Sequence, residues 1–313
     1  MKSTAPYLSV IMTSYNYEKY LPLAIESVLK QTFGDFEFII VESGSTDSSP
    51  QIVQEYASND TRIRPVFLNG ASNSEAFHEG LKHARGTYIA RTDSDDIYSS
   101  KRFEEQLRYM KAADLDLCGS WYKNIGAKDN SVWCPVHHHS IRIEMLFRVV
   151  VINSVMMMKA ELAEKFPLDE NIMFDDYEWP IRVSGQCRIG NVPMILLQRR
   201  RHKKQASIVF KEQVQKERKK LRFQHFYSLY PGTPLKDYLA LVKIFESLCF
   251  ESVQELKTGG KWLLKLAENS ELSLIKKMRR RWKNSCLQSG YSEEKIRSVF
   301  LEYDAQFNKL IVP

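Results

Sequence analysis

The apolar residues of the first hundred positions change repeatedly between the spacing of a strand and the spacing of a helix. Short, mainly apolar runs predict four strands, at residues 8–12, 36–41, 66–68 and 87–90. Between these runs, apolar residues recur three and four positions apart, which predicts helices around residues 21–29, 52–56 and 76–84. Strands that alternate with helices in this way predict an α/β fold, in which helices flank a mainly parallel sheet.

The pattern is less regular after residue 120. Trp121, Trp133 and the apolar run 149–158 indicate further strands, and residues 141–147 indicate a helix. The run 149–158 is too short to cross a bilayer, because a membrane-spanning helix takes roughly 20 apolar residues.

The last third of the chain is helical and basic. The helical pattern starts near Glu212, and glycine or proline at 231–232 and at 259–260 predicts two breaks in it. We therefore predict an α/β domain over residues 1–210 and a basic helical C-terminal extension over residues 211–313.

The formal net charge of +7 is distributed unevenly along the chain. Residues 1–198 carry 20 Lys and Arg against 26 Asp and Glu, whereas residues 199–313 carry 25 against 12. Within the basic part, residues 276–283 place Met and Trp between cations, which is typical of a peripheral contact with an anionic membrane. A solvated helix face has the same pattern, and both interpretations stay open. No recognised nucleic-acid-binding module is present, so we expect no nucleic-acid partner.

Cysteine content and the N-terminal sequence indicate the cellular compartment. The five cysteines are odd in number and scattered, unlike a disulfide framework and typical of a reducing compartment. The N-terminal residues lack the long apolar block of a secretory signal. We expect a cytoplasmic protein, with any membrane contact peripheral and at the inner face of the membrane.

Polar residues follow three of the predicted strands directly, at 13–16, 42–47 and 93–96. In a parallel sheet, ligands bind outside the carboxyl ends of the strands, so these loops are candidates for a site. The last loop carries three carboxylates, Asp93, Asp95 and Asp96, and such concentrated negative charge is unfavourable unless a cation lies nearby. Mg²⁺ or Mn²⁺ suits these oxygen ligands. A solvated loop that caps the next helix is the alternative.

Four motifs occur in order along the same hundred residues. They are Ser-Val-Ile-Met-Thr-Ser-Tyr-Asn at 9–16, Ser-Val-Leu-Lys-Gln-Thr-Phe at 27–33, Gly-Ser-Thr-Asp at 44–47, and Gly-Thr-Tyr-Ile leading into Asp-Ser-Asp-Asp at 86–96. Together they resemble the family 2 glycosyltransferases, which have the GT-A fold. The resemblance is collinear over residues 7–98 and weaker up to residue 207. It implies a nucleotide-diphosphate sugar donor, a divalent metal, Mn²⁺ or Mg²⁺, and inversion at the anomeric carbon.

The resemblance also implies which residues bind the donor. Thr13 and Tyr15 would line the base pocket, with the Tyr15 ring stacked on the pyrimidine of a UDP- or dTDP-sugar. Glu42 and Ser43 stand where the family usually has two aspartates, one of which reads the base edge. Because of Ser43, the identity of the base stays open.

Three further residues are implied for the diphosphate and the metal. Asp95 would hold the metal, and Asp93 would contact the ribose or complete the metal shell. Arg200-Arg201-His202 resembles the family's Arg-x-His segment, so that His202 would ligate the metal or touch the diphosphate, as would Arg200. A surface basic run is the alternative interpretation of Arg200 and His202.

An acidic motif at residues 175–179 resembles the one that supplies the catalytic base in this family. An inverting transfer needs a carboxylate that accepts the proton of the attacking acceptor hydroxyl. Asp176 aligns best with this role, and Asp175 and Glu178 are its rivals. Alternatively, the three are carboxylates favoured by the positive end of a helix dipole.

The sequence thus predicts a glycosyltransferase of surface polysaccharide or glycoconjugate synthesis, acting on a glycan or lipid-linked acceptor. A sugar-1-phosphate nucleotidyltransferase is the alternative enzyme, but residues 13–16 lack the glycine-rich basic segment that it needs. A non-catalytic glycan- or nucleic-acid-binding protein on a transferase scaffold is the alternative outside enzymes. Neither a dinucleotide-binding fingerprint nor a Walker A loop is present.

Overall fold

The computed structural model describes residues 5–169, 172, 175–202, 205, 209–289 and 291–311. The chain forms two compact units. The first comprises Met1–Val136 and Val149–Arg218, and the second comprises His137–Arg148 and Lys219–Pro313. The division into two functional domains at residue 210 stays a prediction.

In the described part of the first unit, nine strands form one mixed sheet in the order β3-β2-β1-β4-β8-β6-β9-β5, with β7 paired to β6. The strands are β1 (Leu8–Ser14), β2 (Phe36–Glu42), β3 (Ile63–Phe67), β4 (Tyr88–Asp93), β5 (Ile97–Tyr98), β6 (Leu117–Gly126), β7 (Asn130–Val132), β8 (Met157–Lys159) and β9 (Ile189–Arg201). The four longest pairings, β1–β2, β1–β4, β2–β3 and β6–β9, are parallel. The predicted mainly parallel α/β sheet is therefore confirmed.

Helices lie between these strands and after them along the chain. They are α1 (Leu21–Leu29), α2 (Ser49–Asn59), α3 (Asn73–His83), α4 (Arg102–Ala113), α5 (His138–Glu144), α6 (Ala160–Lys165), α7 (Asp175–Val183), α8 (Lys211–Leu229), α9 (Leu235–Glu246), α10 (Val253–Ala267), α11 (Leu272–Gln288) and α12 (Glu293–Ile311), with a 3₁₀ turn at Asn153–Val155. The predicted C-terminal helices are thus present. None of the described helices is long and apolar enough to span a membrane.

The central strands are covered on both faces. Every residue of β1 and β2 is buried, as expected for parallel strands with helices on either side. Gly80 on α3 permits close approach of this helix, because a Cβ atom there would lie 2.5 Å from Cγ2 of Ile11 on β1. A capping box between Ser72 and Glu75 starts the same helix by satisfying its first free N–H groups.

Two local predictions are wrong. The run 149–158 is a buried loop with the 3₁₀ turn Asn153–Val155, and only its last two residues belong to a strand, β8. The pair Gly259–Gly260 lies inside helix α10 instead of ending it. A Cβ atom on Gly260 would lie 2.7 Å from the ring of Trp282, so the glycine permits tight helix packing.

The apolar residues of the basic run 276–283 face the core of the second unit. Met278 and Trp282 have no exposed surface and belong to the hydrophobic cluster of that unit. They are therefore unavailable for insertion into a bilayer, so only the cations of this run could contact a membrane. Lys276, Arg280 and Lys283 are exposed on the same helix.

Candidate active site

An acidic cluster lies at the carboxyl end of β4. Oxygen atoms of Asp93, Asp95 and Asp96 all lie within 4.8 Å of one another. Burial and the neighbouring Asp95 charge raise the pKa of both Asp93 and Asp96. A cluster of three carboxylates, two of them with a raised pKa, fits a divalent cation with oxygen ligands. The sequence motif is thus assembled into one compact group.

Fixed donors hold these carboxylates in place. The Ser154 hydroxyl donates to Oδ2 of Asp93, and the backbone N–H of Arg200 donates to Oδ1 of Asp96 at 2.8 Å. The buried Tyr98 hydroxyl donates to the Asp93 carbonyl oxygen at 3.0 Å and accepts from the Asp93 N–H. The cluster is therefore rigidly supported from three separate segments of the chain.

The end of β9 brings His202 and Arg200 to the same place. Nε2 of His202 lies 2.9 Å from Oδ2 of Asp95, and Nε of Arg200 donates to the Asp95 carbonyl at 3.0 Å. Tyr20 stacks on the His202 ring at 5.3 Å, and the Arg200 guanidinium lies 4.6 Å from the same tyrosine ring. Both predicted side chains thus adjoin the acidic cluster.

Two tyrosines that the sequence analysis did not assign also belong to this group. Tyr17 meets the His202 ring edge-on at 5.8 Å and lies 6.4 Å from the Tyr20 ring. Burial raises the pKa of Tyr17 far above its ordinary value, and the three neighbouring aspartates add to this effect. The signal was their position in the loop after β1, which also contains Tyr15 and Asn16.

The predicted base-pocket residues differ in accessibility. Thr13 is buried, and its hydroxyl donates to Oδ1 of Asn73 at the start of α3. Tyr15 is 54% exposed, so its ring face is open to a planar ligand. Thr13 therefore supports the wall of the loop, whereas Tyr15 can contact a ligand directly.

Glu42 and Ser43 shape the loop after β2. The Glu42 carboxylate accepts from the backbone N–H groups of Gly44 at 3.0 Å and Ser45 at 2.9 Å. The N–H of Ser43 donates to the carbonyl of Ser14 at 2.9 Å. The Glu42 carboxylate thus organises its own loop, and a direct contact with the donor base stays a prediction.

Asn16 joins the loops that follow β1 and β2. Its backbone is in the left-handed region at φ 57°, which asparagine tolerates better than most residues. Its N–H donates to Oγ of Ser45 at 2.8 Å, and its Oδ1 accepts from the N–H of Thr46 at 2.8 Å. The two predicted donor-binding loops are therefore one connected structure.

The three acidic candidates for the catalytic base have different surroundings. Asp175 is buried and pairs with Arg91 at 2.6 Å. Glu178 pairs with Arg182 one turn along α7, also at 2.6 Å. Among the residues that the structure describes, Oδ1 of Asp176 is buried and has no hydrogen-bond partner. Asp176 is thus the carboxylate of the three whose oxygen is not already engaged.

Electrostatics also distinguish Asp176. Burial raises its pKa above the ordinary value, the Asp175 charge adds to this effect, and the cations Arg218 and Arg199 oppose it. Arg199 is mostly buried, and its charge likewise opposes the raised pKa values of Asp93 and Asp96. One guanidinium therefore acts on both the acidic cluster and the candidate base.

A single turn connects the two carboxylate groups. Nδ2 of Asn153 donates to Oδ1 of Asp175 at 2.6 Å, and the next residue, Ser154, donates to Asp93. The sequence analysis missed this turn because its residues lie in an apolar run and carry no local signal for their distant partners. It likewise missed Arg91, whose partner Asp175 is 84 residues away.

Comparisons with known proteins agree with this architecture. The family model described as Glycosyl transferase family 2 matches residues 9–168. The chain is 29% identical over 206 residues to an O-antigen biosynthesis glycosyltransferase, WbnJ, of Escherichia coli, a match that covers 63% of this chain and 80% of that protein. The chain spans 40% and 64% of the length of two other curated relatives.

Two solved structures share the fold. One is TarS of S. aureus in complex with UDP-GlcNAc, with a TM-score of 0.57 and 14% identity over 96% of this chain and 91% of that chain. The other is the mannosyltransferase PcManGT of Pyrobaculum calidifontis in complex with GDP-Man and Mn²⁺, with a TM-score of 0.56 and 14% identity over 99% of this chain and 88% of that chain. Because the family model matches half of the chain, and the predicted GT-A type of sheet is found, the chain belongs to glycosyl transferase family 2.

Proposed function

We propose that this protein transfers a sugar from a nucleotide-diphosphate donor to a glycan or lipid-linked acceptor, with inversion at the anomeric carbon. The observation that carries the proposal is the presence of two carboxylate groups, the acidic cluster and the start of α7, where Oδ1 of Asp176 has no partner among the described residues. Asn153 and Ser154 connect the two groups by donating to Asp175 and Asp93. One group suits a metal and a diphosphate, and the other suits proton transfer from an acceptor hydroxyl.

The residues of the acidic cluster fit a divalent metal, Mn²⁺ or Mg²⁺. Asp93, Asp95 and Asp96 offer carboxylate oxygens, and His202 offers a ring nitrogen beside Asp95. When bound, such an ion neutralises the charge of the departing diphosphate, so that the leaving group needs no separate acid. The relative PcManGT was solved with Mn²⁺, which supports the choice of this metal as a first probe.

Asp176 is proposed as the general base. It would accept the proton of the acceptor hydroxyl while that oxygen attacks the anomeric carbon. Its raised pKa increases its basicity in the ionised form, and its Oδ1, which has no partner among the described residues, can accept a hydrogen bond from the hydroxyl. Asp175 and Glu178 are less suited, because their ion pairs already use the oxygen atoms that the proton would need.

The donor is proposed to be a UDP- or dTDP-sugar. The open ring of Tyr15 supports stacking on a base, and Arg200 beside Asp95 supports a contact with the diphosphate. TarS was solved with UDP-GlcNAc and PcManGT with GDP-Man, so the fold accommodates more than one base. Ser43 stands where the family usually has an aspartate, so it is the first position at which base selection should be tested by mutation.

The acceptor is proposed to be a growing surface polysaccharide or a lipid-linked glycan. The name of the relative WbnJ, an O-antigen biosynthesis enzyme, supports this class of acceptor.

A panel of nucleotide sugars tests the proposal. Hydrolysis and transfer are measured for UDP-, dTDP- and GDP-sugars, each with Mn²⁺, with Mg²⁺ and with excess EDTA. We expect turnover of a UDP- or dTDP-sugar that EDTA abolishes. Turnover that is unchanged in EDTA contradicts the metal, and preference for a GDP-sugar contradicts the proposed base. Absence of turnover with every donor contradicts the transferase proposal.

A further inference from the structure

Basic side chains of the second unit converge on a buried carboxylate that lies outside the candidate active site. Glu144 is 1% exposed, and its Oε1 accepts from Nε of Arg148 at 2.6 Å and from Nζ of Lys277. Arg281 lies one turn beyond Lys277 on α11, and Arg222 on α8 completes the group. We call these four residues, Arg148, Arg222, Lys277 and Arg281, the cationic cluster.

Two arginines of the cationic cluster flank an aromatic pair. The Arg281 guanidinium lies 4.9 Å from the ring of Phe147, and that of Arg222 lies 5.9 Å from the ring of Phe245. The two rings are 4.3 Å apart, so the planar cations are held on neighbouring aromatic surfaces. This arrangement orients both guanidinium groups without using their N–H donors.

The donors of the cationic cluster are incompletely used. Among the described residues, Arg281 forms no ion pair, and its Nη1 donates a long hydrogen bond of 3.4 Å to the Phe245 carbonyl. Arg222 pairs with Glu246 at 3.2 Å, a carboxylate that Lys219 also contacts, while Nε of Arg222 is buried and has no partner in the described part. N–H donors therefore remain for a ligand.

The charge balance of the group is positive. Among the described residues, four cations, or five with Lys219, surround two carboxylates, Glu144 and Glu246. Burial lowers the pKa of Lys277 and of Arg281, the Glu144 charge opposes this effect, and the nearby charge of Arg148 adds to it. Like charges held together away from water are unfavourable, and a bound anion would relieve their repulsion.

We propose that the cationic cluster is a binding site for a phosphate-bearing anion, a phosphomonoester or phosphodiester. A phosphate group carries one or two negative charges and several acceptor oxygens, which match the excess charge and the unused guanidinium donors. The side chains of Lys277 and Arg148 are 36% and 29% exposed, so the site is reachable from solvent. The phosphate belongs either to a lipid headgroup or to a soluble phosphorylated molecule.

Binding of inorganic phosphate to the full-length protein tests the proposal. Isothermal titration calorimetry is done at constant ionic strength, with chloride as the reference anion, and in excess EDTA so that no metal at the acidic cluster contributes. We expect Arg281→Gln to weaken phosphate binding by about tenfold or more, because a charge-assisted hydrogen bond is lost. Arg280→Gln is the matched control, since it removes the same charge from an exposed neighbour on the same helix.

Further variants keep the result interpretable if Arg281→Gln does not fold. Arg281→Lys keeps the charge but loses the planar donors, and Lys277→Gln removes a half-exposed cation. Both variants should weaken phosphate binding, and each should still unfold in a cooperative thermal transition when phosphate is absent. Absence of phosphate binding by the wild type, or equal weakening in Arg280→Gln, overturns the proposal.

Vesicles distinguish the two sources of the phosphate. Phosphatidylcholine vesicles with and without phosphatidic acid are sedimented with wild-type, Arg281→Gln and Arg280→Gln protein. Binding that requires phosphatidic acid and Arg281 supports a lipid headgroup. Phosphate binding in solution without such vesicle binding supports a soluble ligand. This test involves neither a nucleotide sugar nor transfer, so its failure leaves the proposed function unaffected.

Discussion

Replacing Asp176 with asparagine keeps the shape of the side chain and removes its basicity. Loss of a positioned general base lowers a rate by about 10²–10⁴-fold, which corresponds to a rise of roughly 3–5 kcal/mol in the activation barrier. Asp176 makes no hydrogen bond to the acidic cluster among the described contacts, so the affinity for the donor should change little. Transfer and donor binding should therefore separate in this variant.

The neighbouring carboxylates provide controls with different expected results. Asp175→Asn breaks the buried ion pair with Arg91, and leaving one buried charge unpaired costs about 3–5 kcal/mol of stability. Glu178→Gln removes the charge of a buried carboxylate whose partner, Arg182, is 36% exposed. Because the arginine left behind stays in contact with solvent, a loss of at most about 1 kcal/mol is expected. Glu178→Gln should therefore keep the transfer rate and the melting temperature close to wild type.

The assay follows transfer under single-turnover conditions and donor affinity by calorimetry, both over a range of pH. Asp176 must be ionised to accept a proton, and burial raises its pKa. The wild-type rate should therefore fall as the pH decreases through a value above 3.8, and Asp176→Asn should lack this acid limb. The reasoning is refuted if the variant keeps full transfer, or if donor affinity falls as much as the rate.

Three further changes have defined outcomes. Asp95→Asn should weaken nucleotide-sugar binding in Mn²⁺ by roughly 10–100-fold, whereas wild type and variant should have the same low affinity in EDTA. Full nucleotide-sugar binding by the wild type in EDTA contradicts a metal-dependent site. Burial lowers the pKa of His225 from 6.5 to about 4. The unfolding free energy of the protein should therefore fall by up to about 3 kcal/mol as the pH decreases across that interval. Denaturant titrations should show that His225→Gln removes this pH dependence. Gly80→Ala should lower the unfolding free energy by about 1–3 kcal/mol, because the new Cβ atom would clash with Ile11. Gly185→Ala, whose Cβ atom would have no neighbour within 4 Å, should change it by no more than about 0.5 kcal/mol. Equal melting temperatures of the two variants contradict the tight packing at Gly80.

The elements that were predicted correctly are those whose sequence pattern depends only on residues of the element itself. Strands β1, β2 and β4 contain short, mainly apolar runs, and α1 and α3 have regular apolar stripes, so each pattern matches its own structure. The acidic cluster was also predictable, because its three aspartates lie within four consecutive residues. Charge and spacing were sufficient in these cases since no distant partner had to be known.

The missed features depend on contacts between distant residues. An apolar run such as 149–158 is buried whether it forms a strand or a loop, and composition does not distinguish the two. Gly259 and Gly260 read as helix breakers, but the ring of Trp282 and the side chain of Ile244 occupy the space that larger residues would need. Their role became visible only once the neighbouring helices were in place.

The turn at Asn153 and Ser154 has a consequence for how this site can change during evolution. Adjacent residues hold Asp175 and Asp93, so one peptide unit fixes the spacing between the residue that precedes the proposed proton acceptor and the proposed diphosphate position. An insertion or deletion at this point would displace both groups together and could not adjust one alone. New acceptor specificities in such a scaffold are therefore expected to arise from loops that leave this turn intact, while the turn itself varies little in length.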